Sequence, residues 1–234
     1  MFNSAVRGIS VVSKERHVEP GFVYHVLNRG ALRQQLFACD DDYTQFESLI
    51  QQNLLRLPLS ILTYELMPNH WHFVVAPIDK EQLSTFFQNI TGTHAKRFRA
   101  ARNTLGEGHV YQDRFKSFPV ESDGHLLGLC RYVERNALRA KLVNRAEDWR
   151  WGALWRRIHG SDQWLTSSWP VTRPDDWINR VNEPLSLVEL AAINRSIRRG
   201  TPLGATNWVQ ETANRLHLEH TLRPLGRPRI ISKR

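Results

Sequence analysis

Two histidines flank a tryptophan at His70-Trp71-His72, and a lone tyrosine, Tyr132, lies well downstream. Residues 61–75 read as two extended runs broken at Pro68-Asn69. Side chains alternate across a strand, so His70 and His72 share one face while Trp71, Phe73 and Val75 anchor the other. Imidazoles about 7 Å apart on a rigid strand can hold one divalent metal between them. The plainer reading is a pair of histidines on the polar face of an edge strand, a pattern that period-2 alternation produces by chance.

Tyr132 sits in residues 123–142, which read as one helix of about five turns, with Leu126, Cys130, Val133, Ala137 and Lys141 stepping at three and four. Asp123 can cap its start, and basic residues crowd its end. Tyr132 and Asn136, four apart, share a face, with Arg131, Arg135 and Arg139 close by. A phenol beside an amide oxygen, a metal and several cations is what covalent attack on a phosphodiester requires. A helical tyrosine is otherwise a core or boundary aromatic.

Other cations are weighed by their distance from this chemistry. Arg114 and Lys116 alternate with Phe115 and Phe118 on a strand entering the tyrosine helix, and are read as phosphate contacts. Arg29 and Arg33, after the first strand, are a weaker version of the same reading. Residues 96–102 put cations along a helix and read as a solvated face. Arg223, Arg227 and Arg229 lie in a Gly/Pro-rich end that cannot continue a helix, so they belong to a solvated tail or one that tracks nucleic acid.

The elements that must position these residues alternate in type. Extended segments at 22–28, 59–66, 71–76 and 115–121 are interleaved with helical ones at 43–57 and 81–103, and the tyrosine helix follows. Strand–helix–strand–strand–helix–strand is the ferredoxin-like order, an α+β sandwich with helices on one face. His70 and His72 are expected on its open face. Residues 1–20 form a polar lead, 21–143 the catalytic unit, and 144–234 a basic, mainly helical extension. That extension holds seven of the eight tryptophans and 15 Lys/Arg against 9 Asp/Glu. Its tryptophans are expected to pack it onto the catalytic unit, the alternative being stacking on unpaired bases.

Composition bounds the partner. A net charge of +9 and a sequence pI near 10.1 favour a polyanion without separating DNA from RNA or an acidic membrane. No apolar run approaches the roughly 18 residues of a membrane span, and there is no apolar signal core. Cys39 and Cys130 lack disulfide-framework or metal spacing. A soluble cytoplasmic protein is expected.

Together, His70-Trp71-His72 and Tyr132-Val133-Glu134-Arg135-Asn136 resemble the active site of the single-tyrosine HUH transposases. Residues 24–30 (Tyr-His-Val-Leu-Asn-Arg-Gly), 108–117 and 221–229 extend the similarity to the REP-associated tyrosine transposases over roughly residues 20–230. Ala137-Leu138 departs from the Pro-Val or Pro-Leu expected after the asparagine. The resemblance implies a bacterial, nucleoid-associated strand-transferase on single-stranded DNA beside a palindromic hairpin, acting as monomer or homodimer. Tyr132 would be the nucleophile, with Mg2+ or Mn2+ held by His70, His72 and Asn136. Two imidazoles suit manganese at least as well as magnesium. A non-catalytic nucleic-acid-binding module and a nuclease using activated water are the other readings.

Overall fold

Alternating large apolar side chains build four strands: β1 (Val23–Arg29), β2 (Ser60–Met67), β3 (His70–Ala76) and β4 (Lys116–Val120). The computed structural model describes residues 17–104, 106, 108–161, 163–166 and 168–223, so Arg227 and Arg229 lie outside the described residues. The strands form one antiparallel sheet in the order β2-β3-β1-β4, which is the ferredoxin-like arrangement. β3 is therefore interior, and its histidines do not belong to an edge strand. Pro68-Asn69 closes a tight β2–β3 hairpin in which Met67 pairs with His70. The Pro68 carbonyl accepts the N–H groups of Leu36 and Phe37, and that of Asn69 accepts Gly30 N–H. The turn preceding the histidines is thus fixed from outside.

One face carries Tyr24, Val26, Tyr64, Leu66, Trp71, Phe73 and Val75. It packs on α1 (Asp40–Leu54) and α2 (Gln82–Ala101), which supply Phe46, Ile50, Phe86, Phe87 and Ile90. Trp71 is fully buried and stacks on Phe87 with ring centroids 5.6 Å apart. The strand behind the histidines is therefore anchored as its sequence suggests.

The opposite face, expected to be open, is largely covered. Val23, Leu62, Val74, Phe118 and Val120 pack there against Leu126, Leu129, Cys130 and Val133 of α3 (Gly124–Glu134). These apolar side chains would otherwise stand in water, and covering them is favourable by about 25 cal/mol per Å². Asp123 caps α3 by accepting His125 N–H. The helix does not run to residue 142: Arg135 leaves helical geometry (φ −100°, ψ 1°), and α4 (Asn136–Arg139) starts afresh.

The extension packs into both cores. It contains α5 (Ala153–Ile158), α6 (Trp177–Asn182), α7 (Leu187–Arg199) and α8 (Thr206–Arg215). Trp151 and Trp177 are buried; Trp149 donates to Leu66 O and Trp177 to the Glu134 carboxylate. Packing thus accounts for these tryptophans. Ser186 and Glu189 cap the start of α7 reciprocally, and Gly200, at φ 72°, ends it in the left-handed conformation.

Candidate active site

His70 and His72 project from the α3 side of β3, their ring centroids 5.1 Å apart and their planes near perpendicular. α3 lays Tyr132 across them, its ring edge-on to His72 at 6.0 Å. Asn136 opens α4 into the same space. The four residues line one cavity of about 490 Å³, together with Arg29, Arg114, Lys116 and Arg139. Sequence separation hides this convergence, which the sheet and one short helix bring about.

Arg139 ties the polar groups together. Its guanidinium donates to the Tyr132 hydroxyl (3.2 Å) and to Asn136 Oδ1 (2.5 Å), and lies over the phenol ring at 4.5 Å. Arg131 and Arg135 go elsewhere. Arg131 donates to the carbonyls of Arg180 and Glu183, and Arg135 to that of Asn182, all in the extension. The break at Arg135 separates Arg139 from these two, and it alone of the three lines the cavity. Arg33 stands outside the cavity, in a turn with φ 62°. The backbone of Arg223 receives Arg199.

The break has a visible cause in Glu65, on β2 opposite His72. Its carboxylate accepts Ala137 N–H at 2.7 Å, taking that donor out of the helical ladder. Burial pushes the Glu65 carboxyl well above the usual range, and the Ala137 N–H pulls against that. A proline at position 137, the expected residue, would have no N–H to offer. Ala137 instead gives the sheet a grip on α4 and so on Asn136.

Burial keeps both imidazoles neutral, the charge state that a cation requires. Burial first, then the nearby Arg29 and Arg139 charges, lowers His70 to about 4. Burial, with His25 and His70 adding to it, holds His72 well below its ordinary value. Neutral imidazole keeps one lone pair for a cation. His70 Nδ1 lies 2.6 Å from Asn69 Oδ1, which makes Nδ1 the protonated nitrogen and leaves Nε2 as acceptor. Asn136 is 2 % exposed; its Oδ1 accepts one bond from Arg139 and keeps a second lone pair, while its Nδ2, a donor, has no partner. Two neutral imidazoles and the remaining lone pair of that amide oxygen, all at one cavity wall, fit a divalent metal.

Two other tyrosines, Tyr111 and Tyr24, are engaged elsewhere. Burial raises Tyr111, whose hydroxyl bonds His94 Nδ1 at 2.8 Å, and pushes Tyr24 up to about 12. Neither lines the cavity. The ligand-type atoms of Glu121, Asp123 and His125 also cluster within 4.8 Å of one another, but as local structure. Asp123 caps α3, and Glu121 accepts Ala205 N–H.

Sequence reasoning missed His25, Glu65, Gln112, Asp113, Asn194 and Ile197. His25 carried a weak signal, a histidine at an inward position of an apolar strand. Asn194 and Ile197 carried none, since only the folded path of α7 brings them to the cavity wall.

A ferredoxin-like sheet bearing a cleft lined by arginines, a lysine and two histidines defines the class as an α+β protein with a basic, histidine-lined cleft. Residues 20–136, half of the chain, match the family model described as "Transposase IS200 like", and the chain belongs to that family of DNA-acting enzymes. Its fold is similar to that of a REP-associated tyrosine transposase solved bound to a REP hairpin. That likeness has a TM-score of 0.51 at 17% identity and covers 74% of this chain and 98% of that one. A putative transposase from Deinococcus radiodurans is also similar, at 17% identity and TM-score 0.37, over 53% of this chain and 96% of that one. No curated protein matches the chain by sequence.

Proposed function

We propose that this transposase cleaves and rejoins single-stranded DNA beside a hairpin through a covalent 5′-phosphotyrosine on Tyr132. The observation that carries the reading is the shared cavity, in which the Tyr132 hydroxyl, two neutral imidazoles and Asn136 meet around Arg139. The hairpin held by the structurally similar REP-associated transposase supports the choice of DNA.

The Tyr132 oxygen attacks the scissile phosphorus while its proton passes to water. The P–O bond to the 3′ oxygen breaks, and that oxygen leaves as a 3′ hydroxyl after taking up a proton. One ester replaces another, so a strand end can reverse the step without nucleotide hydrolysis. Arg139 faces the phenol oxygen as it loses its proton. Arg29, Arg114 and Lys116 supply positive charge around the phosphate. His70, His72 and Asn136 would hold Mg2+ or Mn2+, which when bound polarises a phosphoryl oxygen and absorbs developing charge.

Incubating the protein with end-labelled hairpin DNA carrying a single-stranded flank and Mn2+, followed by a denaturing protein gel, tests this. A labelled adduct that is absent from Tyr132→Phe is the expected result. Cleavage without an adduct would instead identify activated water as the nucleophile, and binding alone would leave a non-catalytic module.

A further inference from the structure

His25 is fully buried on β1, on the same sheet face as His72. In the β1–β3 register Leu27 faces His72 and His25 faces Val74, so the two histidines are diagonal neighbours. Their rings stack at an interplanar angle of 10°, and His25 Nε2 lies 2.9 Å from His72 Nδ1. Phe118 packs edge-on against His25 from β4. His25 Nδ1 is buried and has no hydrogen-bond partner.

One proton occupies the bond between the rings, and its side decides what His72 can do. If His25 donates, His72 carries its own proton on Nε2 and has no lone pair to offer the cavity. If His72 Nδ1 donates, Nε2 keeps its lone pair for the cavity that His72 lines. A neutral imidazole has a single N–H to place. Metal-bound histidines commonly give their second ring proton to a carboxylate, carbonyl or water. Among the described residues His25 is the group within hydrogen-bond reach of His72 Nδ1.

We infer that His25 is a positioning residue for the proposed metal site, accepting the His72 Nδ1 proton so that His72 Nε2 can bind the divalent cation. The inference rests on the metal reading of His70, His72 and Asn136. It further implies that cation binding fixes the proton on the His72 side and turns the partnerless His25 Nδ1 into an N–H.

Mn2+ affinity of the full chain, read without DNA by electron paramagnetic resonance, tests it with four proteins. His25→Leu removes the acceptor at similar volume and should weaken Mn2+ binding about 10- to 100-fold. His25→Gln places an amide oxygen near the lost Nε2 and should restore much of that loss. His70→Ala is the control. If His70→Ala binds Mn2+ like the parent, the metal reading itself fails. If His70→Ala loses Mn2+ but His25→Leu keeps it, the metal reading stands and the role of His25 falls. Nitrogen-15 NMR of histidine-labelled parent with Mg2+ needs no variant, so a failure of His25→Leu to fold does not block the test. It should show His72 protonated at Nδ1, and a proton on His72 Nε2 would overturn the inference.

Discussion

Arg139 touches the phenol, the amide and the ring face of the proposed nucleophile, so single-atom changes around it separate the roles. Tyr132→Phe deletes only the hydroxyl and keeps the ring against His72. Folding and DNA binding should persist while the covalent adduct disappears on a denaturing gel, and an adduct that survives would move the nucleophile elsewhere. His70→Ala or His72→Ala should abolish cleavage, whereas Asn136→Ala should raise the Mn2+ needed, because water can partly replace one oxygen ligand. A Mn2+ titration of each variant reads this directly, and unchanged Asn136→Ala activity at limiting Mn2+ would remove that ligand. At this scale the sequence was informative about which residues meet in the cavity and silent about what supports them. His70, His72 and Tyr132 stand out because their types and spacing are unusual for their elements. Which of the three helix arginines reaches the cavity was not legible, since that depends on a backbone break.

That break, between α3 and α4, is held by Glu65 from another element. Period-3.6 patterning runs through residues 123–142 without interruption, because the side chains on either side of Arg135 keep their apolar faces. The competing acceptor for Ala137 N–H lies on a distant strand, and local periodicity carries no trace of it. The strands, α1 and α2 were legible from alternation and periodicity, and the extension was legible as mainly helical. The cover over the second face was not, because it is tertiary. Glu65→Ala should cost about 1–3 kcal/mol by leaving a buried N–H unpaired. Glu65→Gln keeps an acceptor oxygen in a carboxyl site where burial already favours the neutral form, and should cost far less. Urea unfolding of both variants decides the point, and equal losses would show that shape rather than the hydrogen bond matters.

Across the whole molecule, charge and buried imidazoles set the response to salt and pH. If Arg114 and Lys116 contact phosphates from the cavity wall, replacing both with alanine should make the dependence of DNA affinity on salt shallower by about 2 in log–log slope. An unchanged slope would free them of that role. Burial lowers His25 to about 3 and His94 to about 4. Below pH ~6.5 the unfolded chain gains protons that the folded one refuses, so stability falls with pH by up to roughly 1.4 kcal/mol per unit for each imidazole. The fall levels off below the folded values. Urea midpoints for metal-free protein should drop between about pH 7 and 5, and a flat profile would mean these rings are accessible to protons. The edge-on contact of Tyr132 with His72 lies within a single polypeptide, which has a consequence for mixtures. A preparation combining His70→Ala chains with Tyr132→Phe chains contains every functional group but no molecule holding the full set. Neither partner should rescue the other at any ratio or concentration.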